Sequence, residues 1–123
     1  MTKKEWKYCI PFFTAEECGK KMNAAFMIKV VALRIILDTP MYVICGWDDR
    51  DGYHGTGEAL DWWVKQSPRK TMRIIDRTAM FNGVGFYPWG DHLSFHIDNR
   101  PSGMYQRWVS PEKGKYIYLL QGT

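Results

Sequence analysis

Hydrophobic and polar positions recur with two different periods along this chain, and each change of period marks an element. Thr14 followed three residues later by Glu17 is a capping box: the hydroxyl accepts from a free backbone N–H while the carboxylate reaches back to the cap. A helix is expected from there to about Leu37. Its second half carries Phe26, Met27, Ile28, Val30, Val31, Leu33, Ile35 and Ile36 around nearly the whole circumference, which predicts burial on most sides. Asp38-Thr39-Pro40 stops it, because the residue before a proline is pushed out of the helical region. MYVIC then reads as a short buried strand, followed by a loop dense in Gly and Asp, GWDDRDGYHGTG.

EALDWWV alternates with a period of two, so that Ala59, Asp61 and Trp63 share one face and Leu60, Trp62 and Val64 the other. Ser67 with Pro68 behind it starts a second helix, with Met72, Ile75 and Ala79 as its apolar face and an end near Asn82-Gly83. GVGFYP is a short strand or turn. LSFHID alternates again: Leu93, Phe95 and Ile97 point one way, Ser94, His96 and Asp98 the other. After the turn-like SPEKGK, KYIYLLQ adds an edge strand. The expected architecture is one α+β domain over residues 1–123, a mainly antiparallel sheet with helices packed on one side.

Composition alters this outline little. A chain of 123 residues buries about two thirds of its unfolded surface, and 46% apolar with 24% charged residues is the balance of a globular protein. The net charge of +4 suits an anionic partner, but the basic residues are interspersed with acids (Lys3, Lys4, Glu5; Arg69, Lys70, Arg73, Asp76), and no RNA-binding aromatic signature is present. No nucleic acid is therefore expected as a partner. Cys9, Cys18 and Cys45 are odd in number and widely spaced, which predicts buried reduced thiols rather than a disulfide framework or a thiolate zinc site. MTKKEWKYCIPFF has the charges of a signal peptide without its apolar stretch, and AAFMIKVVALRIIL is interrupted by Lys29 and Arg34 and too short to span a bilayer. The chain is expected to be cytoplasmic as synthesised, with no signal peptide or transmembrane segment, so that export depends on another device.

The candidate chemistry lies on the polar strand faces. A strand that sends Leu93, Phe95 and Ile97 into the core and carries His96 and Asp98 opposite turns those groups toward solvent or a cleft, and Asp61 stands in the same situation on its own strand. Taken singly, a histidine in a Gly-rich loop is ordinarily solvated, and His-x-Asp on a strand is ordinarily a surface pair. Together, His54, Asp61 and His96 would supply two nitrogens and one carboxylate oxygen, the donor set of a catalytic zinc with an open position for water.

HGTGEALD resembles the His-x-x-Gly-x-Ala-x-Asp motif of the zinc D-Ala-D-Ala carboxypeptidases and L-alanyl-D-glutamate endopeptidases, whose fold is shared with the hedgehog signalling domain; His54, Gly57, Ala59 and Asp61 match. GVGFYPWGDHLSFHIDNR is similar to that family's Gly-x-Gly-x-Tyr-Pro segment leading to Phe-(Val)-His-x-Asp, and Arg107-Trp108 to its following Arg-Trp. LRIILDTPMYVICGW stands in place of its Leu-Arg, Gly-Pro and hydrophobic strand ending Ser-Gly-Tyr-Arg, so the resemblance covers roughly residues 13–109. It implies a hedgehog/DD-peptidase-like fold and one Zn2+ held by His54, Asp61 and His96. It implies a metallopeptidase hydrolysing peptidoglycan stem peptides, as a D-Ala-D-Ala carboxypeptidase or an endolysin-type endopeptidase, with a bond to a D-amino acid as target. A small single domain of this kind suits a phage or prophage lysis enzyme acting on the cell wall after release, or part of a phage particle.

The supporting positions depart from the family's pattern. Many members carry Asp or Glu three residues before the second histidine, where this chain has Leu93; Asp91 and His92 just upstream are the candidates for the general base, Asp91 first. Ser-Gly-Tyr-Arg is replaced by Cys45-Gly46-Trp47-Asp48, which leaves Arg50, two residues on, as the candidate arginine. Asp98 reads as an outer partner orienting His96, since a fourth ligand would close the site to water. Arg100 shares its parity and is a candidate for a substrate carboxylate. Trp62 and Trp63 read as core, one of them a candidate cleft wall. The rival reading is a zinc-binding but catalytically inactive cell-wall or partner-binding module of the same fold, and a third is a metal-free structural domain.

Overall fold

The computed structural model describes residues 1–121. Its order is α1 (Lys3–Lys7), α2 (Ala15–Cys18), α3 (Ala24–Leu37), β1 (Tyr42–Cys45), β2 (Ala59–Trp63), α4 (Pro68–Thr78), β3 (Gly83–Tyr87), β4 (Ser94–Asp98), β5 (Gln106–Val109) and β6 (Ile117–Gln121). The strands form one open six-stranded sheet in the order β1-β2-β4-β3-β5-β6, antiparallel throughout except for the parallel β3–β5 pair. The α+β architecture with a mainly antiparallel sheet is thus the observed one. Among the described residues no helix is long and apolar enough to cross a membrane.

The two faces of the sheet have different tasks. Leu60, Trp62, Val84, Phe95 and Ile97 pack with Phe26, Met27, Val30, Leu33 and Ile75 from the helices into one core. Asp61, His96 and Asp98 lie at the alternate positions, on the face turned away from that core. Direct pairing of Asp61 with His96 across β2 and β4 brings the chemistry of two strands to one point.

Several local expectations need correction. The single helix from Thr14 to Leu37 is two helices. The capping box at Thr14 is formed, but it serves one turn only: the chain breaks at Gly19, with φ of 90°, and α3 begins afresh behind Asn23, whose side chain accepts from Phe26 N at 2.9 Å. A β-carbon at Gly19 would come within 2.9 Å of the Trp47 carbonyl, so the break is where the helices seat against the loop after β1. α3 is not buried on most sides, because Ile28, Ile35 and Ile36 are exposed while Phe26, Met27, Val30 and Leu33 fill the core. Leu93 lies outside β4 and is 46% exposed, since the strand and its core-facing alternation begin only at Ser94. The second helix ends at Thr78, where Ala79 turns to a φ of 52°, and Ala79 is exposed rather than part of the apolar face. α1, capped by Thr2 and Glu5, and β5 are additional elements. Cys9 and Cys18 are buried free thiols as expected, whereas Cys45 is only half-buried.

Candidate metal centre

The loop 46–58 is short of side chains where it is tightest. Gly46 lies against the Cys18 carbonyl, which a β-carbon would approach to 2.2 Å, and Gly57, at φ of 72°, lies equally close to the Lys21 carbonyl. Backbone bonds from Asn23 N to Gly57 O (3.0 Å) and from Trp47 N to Cys18 O (2.8 Å) fasten the loop to the turn between α2 and α3. The break in the predicted helix is therefore what seats the loop that carries His54.

Inside that loop His54 Nδ1 donates to Gly46 O at 2.6 Å, which turns Nε2 toward the site. Nε2 faces Asp61 Oδ2 at 3.2 Å. A ring nitrogen and a carboxylate oxygen at that separation need a cation between them, either a proton that makes the hydrogen bond or a metal ion. On the other side of Asp61, His96 Nδ1 donates to Oδ1 at 2.8 Å, and His96 Nε2 donates to Asp98 Oδ2 at 2.8 Å. One ligand atom each from His54, Asp61 and His96 lies within 4.8 Å of the others. This is a donor set of borderline-soft nitrogens and a carboxylate on a partly open site, and it fits a divalent metal.

The electrostatics follow from that clustering. Burial alone would raise Asp61, but hydrogen bonds from His54 and His96 hold its carboxyl well below the usual range. Asp98 is completely buried and is likewise held low, against its burial, by hydrogen bonds from His96 and Arg100. Burial would depress His96, yet the carboxylates on both of its nitrogens raise it above its ordinary value. Carboxylates on both ring nitrogens favour the protonated ring, and a metal bound at Nδ1 would take the place of that proton.

The triad forms part of the lining of an open cleft of about 690 Å³, together with Ile44, Arg50, Tyr87, Trp89, Asp91, His92 and Tyr116. His54, Asp61 and His96 are brought together, with Asp98 directly behind His96. Arg50, Asp91 and His92 reach the cleft wall, where Arg50 is ion-paired with Asp48 and His92 stacks on Trp63 at 3.7 Å between ring centres. Trp62 is fully buried, so Trp63 is the tryptophan on the site face. Arg100 is not on the cleft wall; its guanidinium binds Asp98 and Gln106.

Reading the chain by alternation passed over three contributors. Tyr87 lines the cleft, its hydroxyl accepting from Trp108 Nε1 at 2.9 Å, and burial pushes it up to about 12 so that it keeps its proton. Gly83 and Gly85 share the parity of Tyr87 and make room for Asp98 and Trp108 respectively. Glycine recurring with period two within one strand is the signal for such close approach. Comparison with models of known protein families, with curated proteins and with solved structures gives no match for this chain.

Proposed function

We propose that this chain is a zinc metallopeptidase of the hedgehog/DD-peptidase-like fold, hydrolysing peptide bonds in peptidoglycan stem peptides. The observation that carries the reading is the convergence of His54 Nε2, the Asp61 carboxylate and His96 Nδ1 at an open cleft, with His54 Nε2 and Asp61 Oδ2 facing each other at 3.2 Å, a separation that a proton or a metal ion bridges. The resemblance of HGTGEALD and SFHIDNR to the wall peptidases supplies the substrate class. Zinc bound there would polarise a scissile carbonyl and bring the pKa of its water toward neutrality.

The chain's own residues divide the remaining work. His54 is fixed in its tautomer by Gly46 O, and His96 is held in orientation by Asp98. Asp91 and His92, on the cleft wall, are the groups to take a proton from an attacking water and return it to the leaving amine, Asp91 first. Tyr87, protonated at working pH, is a hydrogen-bond donor for charge developing on the carbonyl oxygen.

One observation favours the second reading, a metal-binding module of the same fold without turnover: Arg50, the replacement for the family's arginine, is already paired with Asp48. Two measurements separate the readings. Metal analysis of the protein purified without chelators is expected to find about one zinc per chain, abolished in His96→Ala. Digestion of purified peptidoglycan is expected to release new amino termini, and a zinc-loaded chain that releases none establishes the inactive module instead. Absence of zinc, with no thermal stabilisation on adding it, would overturn both.

A further inference from the structure

We propose that Arg100 is a positioning residue of the metal centre: it clamps Asp98 and joins the His54 loop to β5, and so fixes the His96 ring with Nδ1 toward Asp61. The inference rests on the metal-site reading and deepens it, because nothing in that donor set calls for an arginine behind Asp98.

Asp98 has no exposed surface, and both of its oxygens are pinned by the same neighbour. Oδ1 accepts from Arg100 N at 3.1 Å and Nε at 2.9 Å, and Oδ2 accepts from Nη2 at 2.7 Å. A forked guanidinium bound to both oxygens leaves a carboxylate no freedom to rotate, which a point-charge ammonium does not achieve. The remaining bond to Oδ2 comes from His96 Nε2 at 2.8 Å. Turning the His96 ring over would put carbon atoms where Nε2 and Nδ1 now donate, losing the bonds to Asp98 and Asp61 together. With Asp98 immobile, a single ring orientation is satisfied, and it is the one that presents Nδ1 to the ligand cluster.

Arg100 is itself gripped. Nη1 donates to Gln106 Oε1 at 2.9 Å, and the guanidinium lies 5.3 Å from the Tyr53 ring and 5.1 Å from the Trp108 ring. Tyr53 directly precedes His54, and the Trp108 ring lies 5.3 Å from that of His96. One cation thus braces both histidine ligands while lining no part of the cleft. Arg100 touches no reacting atom and is not a catalytic residue.

The test compares the full chain with Arg100→Lys and Arg100→Gln, and with Val30→Ala as a variant destabilised in the core, on a residue that lines no part of the cleft. Zinc affinity, read by competition with a chromogenic chelator, is expected to fall about 10- to 100-fold in both arginine variants. Val30→Ala is expected to lower the thermal midpoint and leave zinc affinity unchanged. In proton–nitrogen correlation spectra of the metal-free protein, the His96 Nε2 proton should exchange slowly in the unaltered chain and rapidly in Arg100→Gln. Arginine variants that bind zinc as tightly as the unaltered chain would overturn the proposal. So would an equal loss in Val30→Ala, which makes the effect one of stability alone. An unaltered chain that takes up no zinc sinks the metal-site reading, and the ring spectra then decide separately: unchanged His96 signals in Arg100→Gln overturn the positioning role, and altered ones sustain it.

Discussion

Gly83 is a residue whose contribution is the side chain it lacks. A β-carbon there would stand 2.2 Å from Asp98 Oδ1, and one at Gly85 would stand 2.4 Å from the Trp108 ring. Neither obstacle is a flexible chain end: Asp98 is held by Arg100 and His96, and Trp108 by Tyr87. Gly83→Ala must therefore displace the carboxylate that orients His96. We expect overpacking to cost about 1–3 kcal/mol in urea denaturation. Zinc affinity should fall with it, by about tenfold or more. A Gly83→Ala protein with unchanged midpoint and unchanged zinc titration would show that Asp98 has slack which the described contacts do not allow. The parity of His96 and Asp98 was readable from LSFHID, and the grouping of His54, Asp61 and His96 from HGTGEALD taken with it. The room made by Gly83 was not, because it depends on the cross-strand register that sets Gly83 opposite Asp98.

Among the elements, the interrupted helix 14–37 shows where local pattern stops being sufficient. Thr14 and Glu17 form their capping box, and the apolar run from Phe26 onward is helical, so both ends of the expectation hold. What divides them is tertiary: Gly19 gives way to Trp47, and Asn23 restarts the helix while its backbone N–H holds Gly57 of the histidine loop. β5 was equally beyond reach, since a strand that joins β3 in parallel has no hairpin to announce it. Two helix caps separate stability from site geometry. Asn23→Ala removes the acceptor for Phe26 N, and Ser67→Ala removes the acceptor for Lys70 N at the start of α4. Each should cost about 1 kcal/mol in urea denaturation. Only Asn23→Ala should also weaken zinc binding, because fraying there releases the Gly57 anchor. Equal zinc affinities in the two variants would mean that the loop keeps its shape without help from α3.

Across the whole molecule, one face of the sheet stabilises by burial and the other concentrates charge, so the metal-free protein should have a stability profile in pH set by the second face. Asp61 and Asp98 are held below their ordinary 3.8, and His96 above its ordinary 6.5. The carboxylates contribute stability that is complete above 3.8 and lost as pH falls through their folded values. His96 contributes stability that is complete below 6.5 and lost as pH rises through its raised folded value. Cys18 and Tyr87, both pushed up to about 12 by burial, stay neutral throughout and do not disturb the comparison. The thermal midpoint without metal should therefore be highest between roughly pH 4 and pH 6.5 and fall on either side. On the proposed reading zinc would exchange for the His96 proton, so its stabilising effect should grow as pH rises over the interval in which the metal-free protein weakens. Thermal scans in chelator and in zinc, from mildly acidic to mildly alkaline buffer, measure both trends. A metal-free midpoint that climbs steadily above neutrality would contradict an imidazolium held between Asp61 and Asp98, and a zinc effect independent of pH would place the ion away from His96.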